Sequence, residues 1–597
     1  MRIRATAAAA ALVMLAGTCP NARVAQDAAP DPDQPVFRVY ELAGIPVRAT
    51  SPDADLYRSV PSMPRLRPQA TLAPWGAGYR GSDVWDIESG TAGLYQSLTA
   101  AGLAQAMESA CQWESLQRIT VLPQEPPRIE VHGGTADHDK LGFLLDSLRA
   151  YYAQRVNLRL YELPQPLGGC RAAAAAVGQA KARLLAAGDV APTESLTAGT
   201  ITTDTFLYRY YTLTASEAGP IADVRELSCG AEWVMGALPL EGGCIWVQAR
   251  HAVVEKLDLA NVRASHGTIE LPKLRVRYVP LSVVLRPGEA AVLDGRYLIA
   301  AELKPGAQVA LASRDDISVC AAGGFLQAGA LLPTLRPGTV LECEPGAELI
   351  DDRESDYFRA RQELPPAMVA ARQAHEWVQR TDNVNYSGAI GPLVAMSLAD
   401  VEPERRAAMI ATICGHGIRQ AAFQVQVYRL AAEPAVPQWA GGGLPTQAQV
   451  ANFREAHAKV QAWQGVLSCV AGQVVACADG TATTYWGMTE TDFTGADDRL
   501  TELPVTACDG WRSALNARDG CEGAWDLELT TDYAGPVALV AKSCKVGDVD
   551  CAMQGAVLRP VRIRFSGSLG VGEAGSVLVP APEGKGERLL MLVQRLE

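Results

Sequence analysis

Arg128-Ile-Glu-Val-His-Gly-Gly-Thr135 is the stretch that decides the fold, because it predicts a strand that turns directly into a helix. The helix is predicted to run to about Tyr152. Arg155-Val-Asn-Leu-Arg-Leu-Tyr-Glu-Leu163 follows and alternates apolar with polar side chains, as a half-buried strand does. A degraded second copy begins at Ala399-Asp-Val-Glu-Pro-Glu-Arg-Arg, roughly 270 residues later, and ends on Ala422-Phe-Gln-Val-Gln-Val-Tyr-Arg-Leu430. The chain is therefore predicted to be an internal duplication.

A second echo near the end of each half supports the duplication. Leu274-Arg-Val-Arg-Tyr278 precedes Gly288-Glu-Ala290 in the first half, and Val561-Arg-Ile-Arg-Phe565 precedes Gly572-Glu-Ala574 in the second. Each half is therefore predicted to contain an α/β part followed by a β-rich part.

The predicted helix after Thr135 carries an apolar stripe at helical spacing. Thr135 is its predicted N-cap, and the acidic side chains that follow favour the positive end of the helix dipole. We expect one α/β layer over residues 36–163, in which the stripe packs on the strands before and after it. The stripe is Leu141, Leu144, Leu145 and Leu148, and the strand residues are Ile129, Val131, Val156, Leu158 and Leu160.

The whole chain is predicted to have an α+β fold, in which split βαβ layers of KH-like or ferredoxin-like order alternate with all-β, sandwich-like domains. A chain of 597 residues exceeds what one hydrophobic core usually serves. The predicted segments are a signal peptide at 1–26, an α/β domain at 36–165 with an irregular insertion at 43–82, a connecting helix (172–187) and β-domain at 172–303, an irregular bridge at 304–356, a second, degraded α/β domain at 357–432, and a connecting helix (446–465) with a second β-domain at 446–597.

The first residues have the layout of an export signal. Met1-Arg-Ile-Arg4 is basic, Ala7 to Ala16 is apolar, and Gly17 and Pro20 break the run. That run is too short to span a bilayer, and no other stretch approaches the length a spanning helix needs. We expect an exported protein, periplasmic or extracellular, with outer-membrane association as an alternative; Cys19 leaves lipidation open.

Net charge and cysteine usage narrow the function. A formal charge of -13 and a pI near 5.2 argue against nucleic acid as a partner, because that partner requires a basic surface. Fourteen cysteines in an exported chain are typical of disulfides, and the Cys-x-x-Cys spacing of structural zinc sites is absent. The candidate pairs are Cys229 with Cys244, Cys508 with Cys521, Cys544 with Cys551, Cys320 with Cys343, and Cys469 with Cys477.

Three clusters invite a catalytic reading, and each has a simpler one. His132 and His138 flank a turn with Asp137 and Asp139, which is also an ordinary helix start. Cys414-Gly-His416 ends an apolar helix face, and Gly584-Lys-Gly-Glu-Arg588 lacks the order of a phosphate-binding loop. We predict no catalytic, cofactor-binding or metal residue. A secreted hydrolase stays an alternative, because a catalytic triad is assembled in space.

The sequence resembles the bacterial secretins and secretin-like proteins of type II or type III secretion systems. Ile129-Glu-Val-His-Gly-Gly-Thr-Ala-Asp-His-Asp with Leu144-Leu-Asp-Ser-Leu-Arg149 is similar to the strand, turn and helix of their ring-building periplasmic domains. In the second half, Val466-Leu-Ser-Cys-Val-Ala-Gly-Gln-Val474 and Leu589-Leu-Met-Leu-Val593 resemble the first and last strands of the secretin β-domain. The resemblance implies a component of an outer-membrane secretion assembly.

The pore-building phrase of that family, a Val-Pro-x-Leu-Gly-x-Ile-Pro-x-Leu-Gly type of run, is missing. We therefore expect a non-enzymatic, secretin-like envelope protein that acts in protein–protein interaction or scaffolding. Its partners are predicted to be proteins, or further copies of the chain, that add to exposed strand edges of the split βαβ layers. A genuine secretin subunit of an outer-membrane channel is the alternative.

Overall fold

The computed structural model describes twenty-one segments of the chain, with short gaps inside some of them. The segments are 35–48, 98–122, 127–175, 181–192, 194–211, 221–264, 267–304, 312–314, 317–323, part of 371–379, 387–398, 401–414, 420–431, 437–441, 444–470, 474–489, 501–519, 523–546, 549–557, 560–582 and 586–596. The predicted signal peptide and most of the predicted insertion at 43–82 lie outside these residues.

The first α/β unit is a small antiparallel sheet with two helices. Strand order is β1-β5-β4, and a parallel pair of two-residue strands, β2 and β3, adjoins α1. Helix α2 has the predicted bounds, but its N-cap is Gly134 rather than Thr135. The elements are β1 (Val36–Glu41), β2 (Val47–Arg48), β3 (Leu98–Thr99), α1 (Ala100–Ala110), β4 (Arg118–Leu122), β5 (Arg128–Gly133) and α2 (Thr135–Tyr152).

The second α/β unit repeats this arrangement. Its strand order is β15-β16-β18-β17, so β16, β18 and β17 take the places of β1, β5 and β4, and α3 follows β18 as α2 follows β5. This repeat agrees with the predicted duplication. The elements are β15 (Ala312–Arg314), β16 (Ile317–Ala321), β17 (Ser387–Ile390), β18 (Leu393–Ser397) and α3 (Pro403–Cys414).

The two α/β units share one hydrophobic core. Leu103 and Met107 of α1 belong to the same buried cluster as Leu393 and Met396 of β18. Helix α1 lies so close to β17 that a Cβ at Gly388 would come within 2.2 Å of the Ala106 carbonyl oxygen. Only glycine fits there without a shift of the backbone, so the sequence specifies this contact between the halves.

Each half also contains a short sheet of the same order. In the first half β8-β6-β14-β13 is extended by β7, and in the second half the order is β20-β19-β28-β27. The first-half strands are β6 (Val156–Glu162), β7 (Arg171–Ala173), β8 (Arg183–Val190), β13 (Glu289–Leu293) and β14 (Tyr297–Leu303). The second half has β19 (Gln420–Leu430), α4 (Gln447–His457), β20 (Gln461–Val470), β27 (Ala574–Pro580) and β28 (Arg588–Arg595).

Long antiparallel strands from both halves form one eight-stranded sheet. Its order is β9-β10-β11-β12-β21-β22-β23-β26, four strands from each half. The strands are β9 (Ser195–Tyr211), β10 (Ile221–Pro239), β11 (Ile245–Ala264), β12 (Gly267–Leu285), β21 (Val474–Thr489), β22 (Thr501–Asp519), β23 (Trp525–Ala534) and β26 (Pro560–Leu569). The predicted pair of separate β-domains is therefore wrong, because their strands belong to one hydrogen-bonded sheet.

The two four-stranded units match residue by residue. The β10–β11 hairpin closes with Pro239 opposite Ile245, and the β22–β23 hairpin closes with Asp519 opposite Trp525. After the sheet, Gly288 and Gly572 both have positive φ, at 84° and 78°. A glutamate follows each of these glycines and accepts a hydrogen bond from the backbone three residues earlier. The echo seen in the sequence is thus a repeated turn.

One difference separates the two units. In the first, β11 and β12 continue to a tip at which Ala264 lies opposite Gly267. In the second, the corresponding upper part is a separate hairpin, β24 (Ala538–Val546) and β25 (Val549–Val557), between β23 and β26. Two residues connect the paired strands at each tip, so β24–β25 corresponds to the far end of the β11–β12 hairpin.

The predicted split βαβ layer is not formed. Strand β5 lies in the three-stranded sheet and β6 in the five-stranded sheet. The leucine stripe of α2 is fully buried against Ile129 and Val131 as predicted, but Val156, Leu158 and Leu160 belong to a different core. Alternation correctly identified β6 as a strand, but it does not say which sheet the strand joins.

Two further predictions need correction. Residues 172–187 are not a connecting helix, because β7 and β8 occupy Arg171–Ala173 and Arg183–Val190. Alanine favours helix, yet pairing with β13 and β6 decides these segments. The bridge at 304–356 contains β15 and β16 of the second α/β unit. The second connecting helix is correct from Gln447 to His457, followed by a 3-10 turn and then β20 at Gln461.

Candidate functional site: the edges of the joined sheet

The junction between the two halves of the long sheet is an edge-to-edge strand pairing. Strand β12 ends the first unit and pairs antiparallel with β21, which begins the second. The pairing runs from Lys273 opposite Thr483 to Tyr278 opposite Ala478. This junction shows that the last strand of one unit can accept the first strand of the next.

The outer edges of the sheet have the same two kinds of strand. Strand β9 is the first strand of unit one and β26 the last strand of unit two, and neither pairs with a further strand among the residues that the structure describes. On β9, the Leu207 amide donates to the Glu270 side chain of β12 at 2.8 Å. On β9, residues 199–202 are all exposed, and Ile201 is 37% exposed. On β26, Arg564, Ser566 and Ser568 are exposed. Unpaired strand edges offer backbone donors and acceptors to another strand.

The registers of the two units identify which residues of the edges correspond to the junction. Gly230 of β10 and Gly510 of β22 are equivalent, because they lie opposite Val254 and Ala534 on the next strand. Ile201 of β9 then matches Gly480 of β21. On the other edge, Leu285 of β12 is equivalent to Leu569 of β26, because each is the last residue of its strand.

Both equivalent glycines are required by close backbone contacts. Gly230 has φ 133°, and a Cβ there would lie 1.7 Å from the Thr200 carbonyl oxygen. Gly510 has φ 103°, and a Cβ there would lie 2.4 Å from the Asp479 carbonyl oxygen. Each half therefore requires glycine at the same point of its second strand, where the neighbouring backbone leaves no room for a side chain.

The predicted disulfide between Cys229 and Cys244 does not form in this structure. Cys229 lies beside Gly230, at one end of the paired part of the β10–β11 hairpin, and Cys244 lies in the loop at its other end. Ten strand positions separate them, which corresponds to about 30 Å. Both thiols are free, and burial raises the pKa of each. The sequence spacing was short, but the chain between the two cysteines is extended.

The other predicted disulfide pairs have different outcomes in the structure. Cys521 lies outside the described residues, so Cys508–Cys521 stays a prediction. Cys320 and Cys477 are free thiols, so the predicted links Cys320–Cys343 and Cys469–Cys477 do not form in this structure. Cys544 lies directly opposite Cys551 in the β24–β25 register. Opposed antiparallel residues have Cα separations of about 4.5 to 5.5 Å, within the range that a disulfide spans. This register suits the predicted Cys544–Cys551 link.

The core of the second α/β unit contains two neighbouring thiols that were not predicted as a pair. Cys320 of β16 and Cys414 of α3 are buried, and their side chains are hydrogen-bonded to each other. That hydrogen bond and burial raise the pKa of the Cys320 thiol well above its ordinary value. Cys414 is therefore part of a buried thiol pair. His416, its neighbour in the sequence, lies outside the described residues.

The acidic turn at the start of α2 has structural contacts. Asp137 is fully buried and accepts hydrogen bonds from the Glu114 and Ser115 backbone amides, at 2.8 and 2.9 Å, and from the Ser115 hydroxyl. His138 joins the Tyr40 hydroxyl to the Val36 carbonyl, with both contacts at 2.9 Å. These side chains fasten α2 to β1 and to the segment before β4.

The described residues offer neither a metal site nor a membrane-spanning helix. They contain no group of three or more His, Cys, Asp or Glu side chains placed to hold a metal ion. None of the helices described is both long and apolar enough to cross a membrane. The sequence predicted that the open strand edges for partners lie in the α/β layers. In the structure, the edges equivalent to the observed β12–β21 junction belong to the long sheet.

Comparisons with known proteins give distant likenesses only. No family model and no curated protein matches the sequence. Among solved structures, the type IV competence pilus secretin PilQ of V. cholerae is 12% identical, with a TM-score of 0.20, over 41% of this chain and 82% of that chain. The pilotin–secretin complex AspS–GspD of ETEC is 8% identical, with a TM-score of 0.17, over 83% and 84% of the two chains. Scores this low do not assign the fold.

Proposed function

We propose that this protein is a non-enzymatic structural component of a cell-envelope assembly, in which copies join through the edges of the eight-stranded sheet. The β12–β21 junction is the observation that carries the proposal, because it is an edge pairing between two equivalent units. The export signal predicted at 1–26 and the sequence resemblance to secretins favour the envelope as its location.

The junction predicts the register between copies. It pairs Val276 with Gly480, whose equivalents at the outer edges are Pro560 of β26 and Ile201 of β9. Continuing this register two positions past the last observed pair, Tyr278 with Ala478, places Arg564 of one copy opposite Thr197 of the next. Such a contact joins two different edges, so it is head to tail and generates either a closed ring or an open filament.

A cysteine cross-link tests this register. We expect the variant Thr197→Cys/Arg564→Cys to form disulfide-linked ladders on mild oxidation, identified by mass spectrometry of the linked peptides. Thr197→Cys/Ser566→Cys is the matched control, because Ser566 is also exposed on β26 but lies two positions out of register. Equal linking in both variants, or a monomer at every concentration in mass photometry, would refute the proposal.

The same preparations separate the two alternatives. Rings seen only in detergent, with measurable conductance in planar bilayers, would favour a channel subunit. Turnover of generic ester or peptide substrates by the purified chain would favour a hydrolase. Our proposal expects neither result.

A further inference from the structure

A cavity of about 370 Å³ lies where the first-half short sheet meets the face of the long sheet. Strands β11 and β12 supply its floor, with His251 on β11 and Arg275 and Arg277 on β12. The β13–β14 turn supplies its wall through Asp294 and Tyr297. The cavity therefore lies between two sheets, and its floor includes the part of β12 that pairs with β21, because Arg275 lies opposite Thr481 and Arg277 opposite Asp479.

One wall of the cavity contains polar atoms that the protein leaves without hydrogen bonds. His251 is 4% exposed, and neither of its ring nitrogens has a hydrogen-bond partner among the described residues. Asp294 Oδ2 is also buried and without a hydrogen bond, and it lies 3.7 Å from His251 Nδ1. Leaving buried polar groups unpaired costs stability, and such groups are rare in folded proteins.

Aromatic rings hold the imidazole in place. The Trp233 ring stacks on His251 with centroids 4.9 Å apart, and the Tyr297 ring meets it edge-on at 4.8 Å. Asp294 and Gly295, with φ 56° and 65°, are the central residues of a turn in which the Arg296 amide donates to the Leu293 carbonyl at 3.2 Å, as Asp-Gly hairpin turns do. This turn places the Asp294 carboxylate beside the imidazole.

The charges around the cavity favour an anion. Three guanidinium groups line it, from Arg275, Arg277 and Arg296, against the carboxylates of Glu255 and Asp294. Arg277 is held by Asp294 at 2.6 Å. Arg275 reaches Asp479 only at 3.9 Å, and within the described residues Arg296 makes no ion pair. Arg275 and Arg296 thus keep donors for a ligand.

The second half shows that the fold does not require this cavity. The pair equivalent to Trp233 and His251 is Ser513 and Thr531, whose hydroxyls are buried and hydrogen-bonded to each other at 2.8 Å. The positions equivalent to Ala231 and Val253 carry Trp511 and Tyr533, whose rings stack with centroids 4.0 Å apart.

We propose that this cavity binds a small oxyanion, a ligand that presents a carboxylate or phosphate group. Arg275 and Arg296 would donate hydrogen bonds to the anionic oxygens, and His251 would donate through a ring nitrogen that now lacks a partner. Arginine suits this role, because its planar guanidinium pairs two donors with two oxygens. Arg277 is a positioning residue, since it holds the Asp294 turn in place.

Calorimetric titration of the purified chain with inorganic phosphate and with succinate tests the proposal. Sodium chloride of equal ionic strength serves as the reference. We expect one saturable site for at least one anion. The double variant Arg275→Gln/Arg296→Gln should bind at least tenfold more weakly. The matched control Arg263→Gln removes an exposed arginine of β11 outside the cavity and should bind as the unaltered chain does.

A second variant fills the cavity with the residues of the other half. Ala231→Trp/Val253→Tyr should abolish binding, with circular dichroism used to verify that the fold is retained. Absence of saturable binding of both anions to the unaltered chain would overturn the proposal. Equal weakening in Arg263→Gln and in the double variant would also overturn it, because the effect would then be general charge screening. These outcomes do not depend on how copies of the chain associate.

Discussion

The two halves of this protein have the same strand order, yet they treat their equivalent interior positions differently. In the first half a polar cavity is left beside Trp233 and His251, whereas in the second half Ser513 and Thr531 satisfy each other. The halves also differ at their hairpin tips, since β11–β12 is continuous and β24–β25 is detached. The halves share their topology, and the side chains decide which half keeps a polar cavity.

A large-to-small substitution in the core that the two α/β units share should destabilise both units together. Leu145 and Ile413 are both fully buried in the cluster that spans the two α/β units. We expect Leu145→Ala and Ile413→Ala each to lower the free energy of unfolding by about 2 to 5 kcal/mol. Because the core is shared, both variants should still show a single cooperative transition in chemical denaturation. Separate transitions for the two halves would contradict the shared core.

The loops before α2 and α3 offer a sharper, pH-dependent contrast. Burial acts to raise the pKa of Asp137, but hydrogen bonds from Glu114 and Ser115 outweigh it and lower that pKa below its ordinary value. In the second half, Arg406 plays the corresponding part by donating to the Leu398 carbonyl at 2.7 Å.

A lowered folded-state pKa means that Asp137 stabilises the fold above its unfolded pKa of about 3.9, and that this contribution is lost as the pH falls through the folded value. We expect Asp137→Asn to cost about 1 to 3 kcal/mol at pH 7, and the difference to shrink in acid. Arg406→Met should cost a similar amount at both pH values, because guanidinium does not titrate there. Urea denaturation at pH 7 and pH 3 measures both; a pH-independent cost for Asp137→Asn would show that the carboxylate charge is not involved.

How much of this could be predicted from the sequence depends on the range of the interactions. The helix at 135–152 and the strand at 156–162 follow from local periodicity, and the structure confirms them. The repeated Gly-Glu phrase is visible in the sequence, and the structure shows that it is a turn. The sheet to which β6 belongs, the β12–β21 junction and the strands in the Ala-rich segment 172–187 depend on contacts between distant segments. Local patterns do not contain that information.

The cavity was missed for a related reason. Its members come from β11, β12 and the β13–β14 turn, and they resemble ordinary strand and turn residues in the sequence. The histidines that drew attention, His132 and His138, have structural contacts with Phe37, Tyr40 and Val36. The sequence does show that His251 lies within a run of strand residues. Its position opposite Trp233, which places it at the cavity, comes only from the strand register.

The smallest expected effect compares the equivalent pairs directly. Thr531→Val removes a buried hydroxyl and leaves the Ser513 hydroxyl without that partner, so it should cost about 1 kcal/mol. His251→Phe keeps a ring between Trp233 and Tyr297 but removes two nitrogens that lack hydrogen bonds, so it should leave stability unchanged or raise it by about 1 kcal/mol. Chemical denaturation of both variants, without added oxyanion, measures the difference. A loss of several kcal/mol in His251→Phe would show that the imidazole stabilises the fold. A neutral or stabilising result would show that the fold does not need the imidazole, which is what we expect of a residue kept for a ligand.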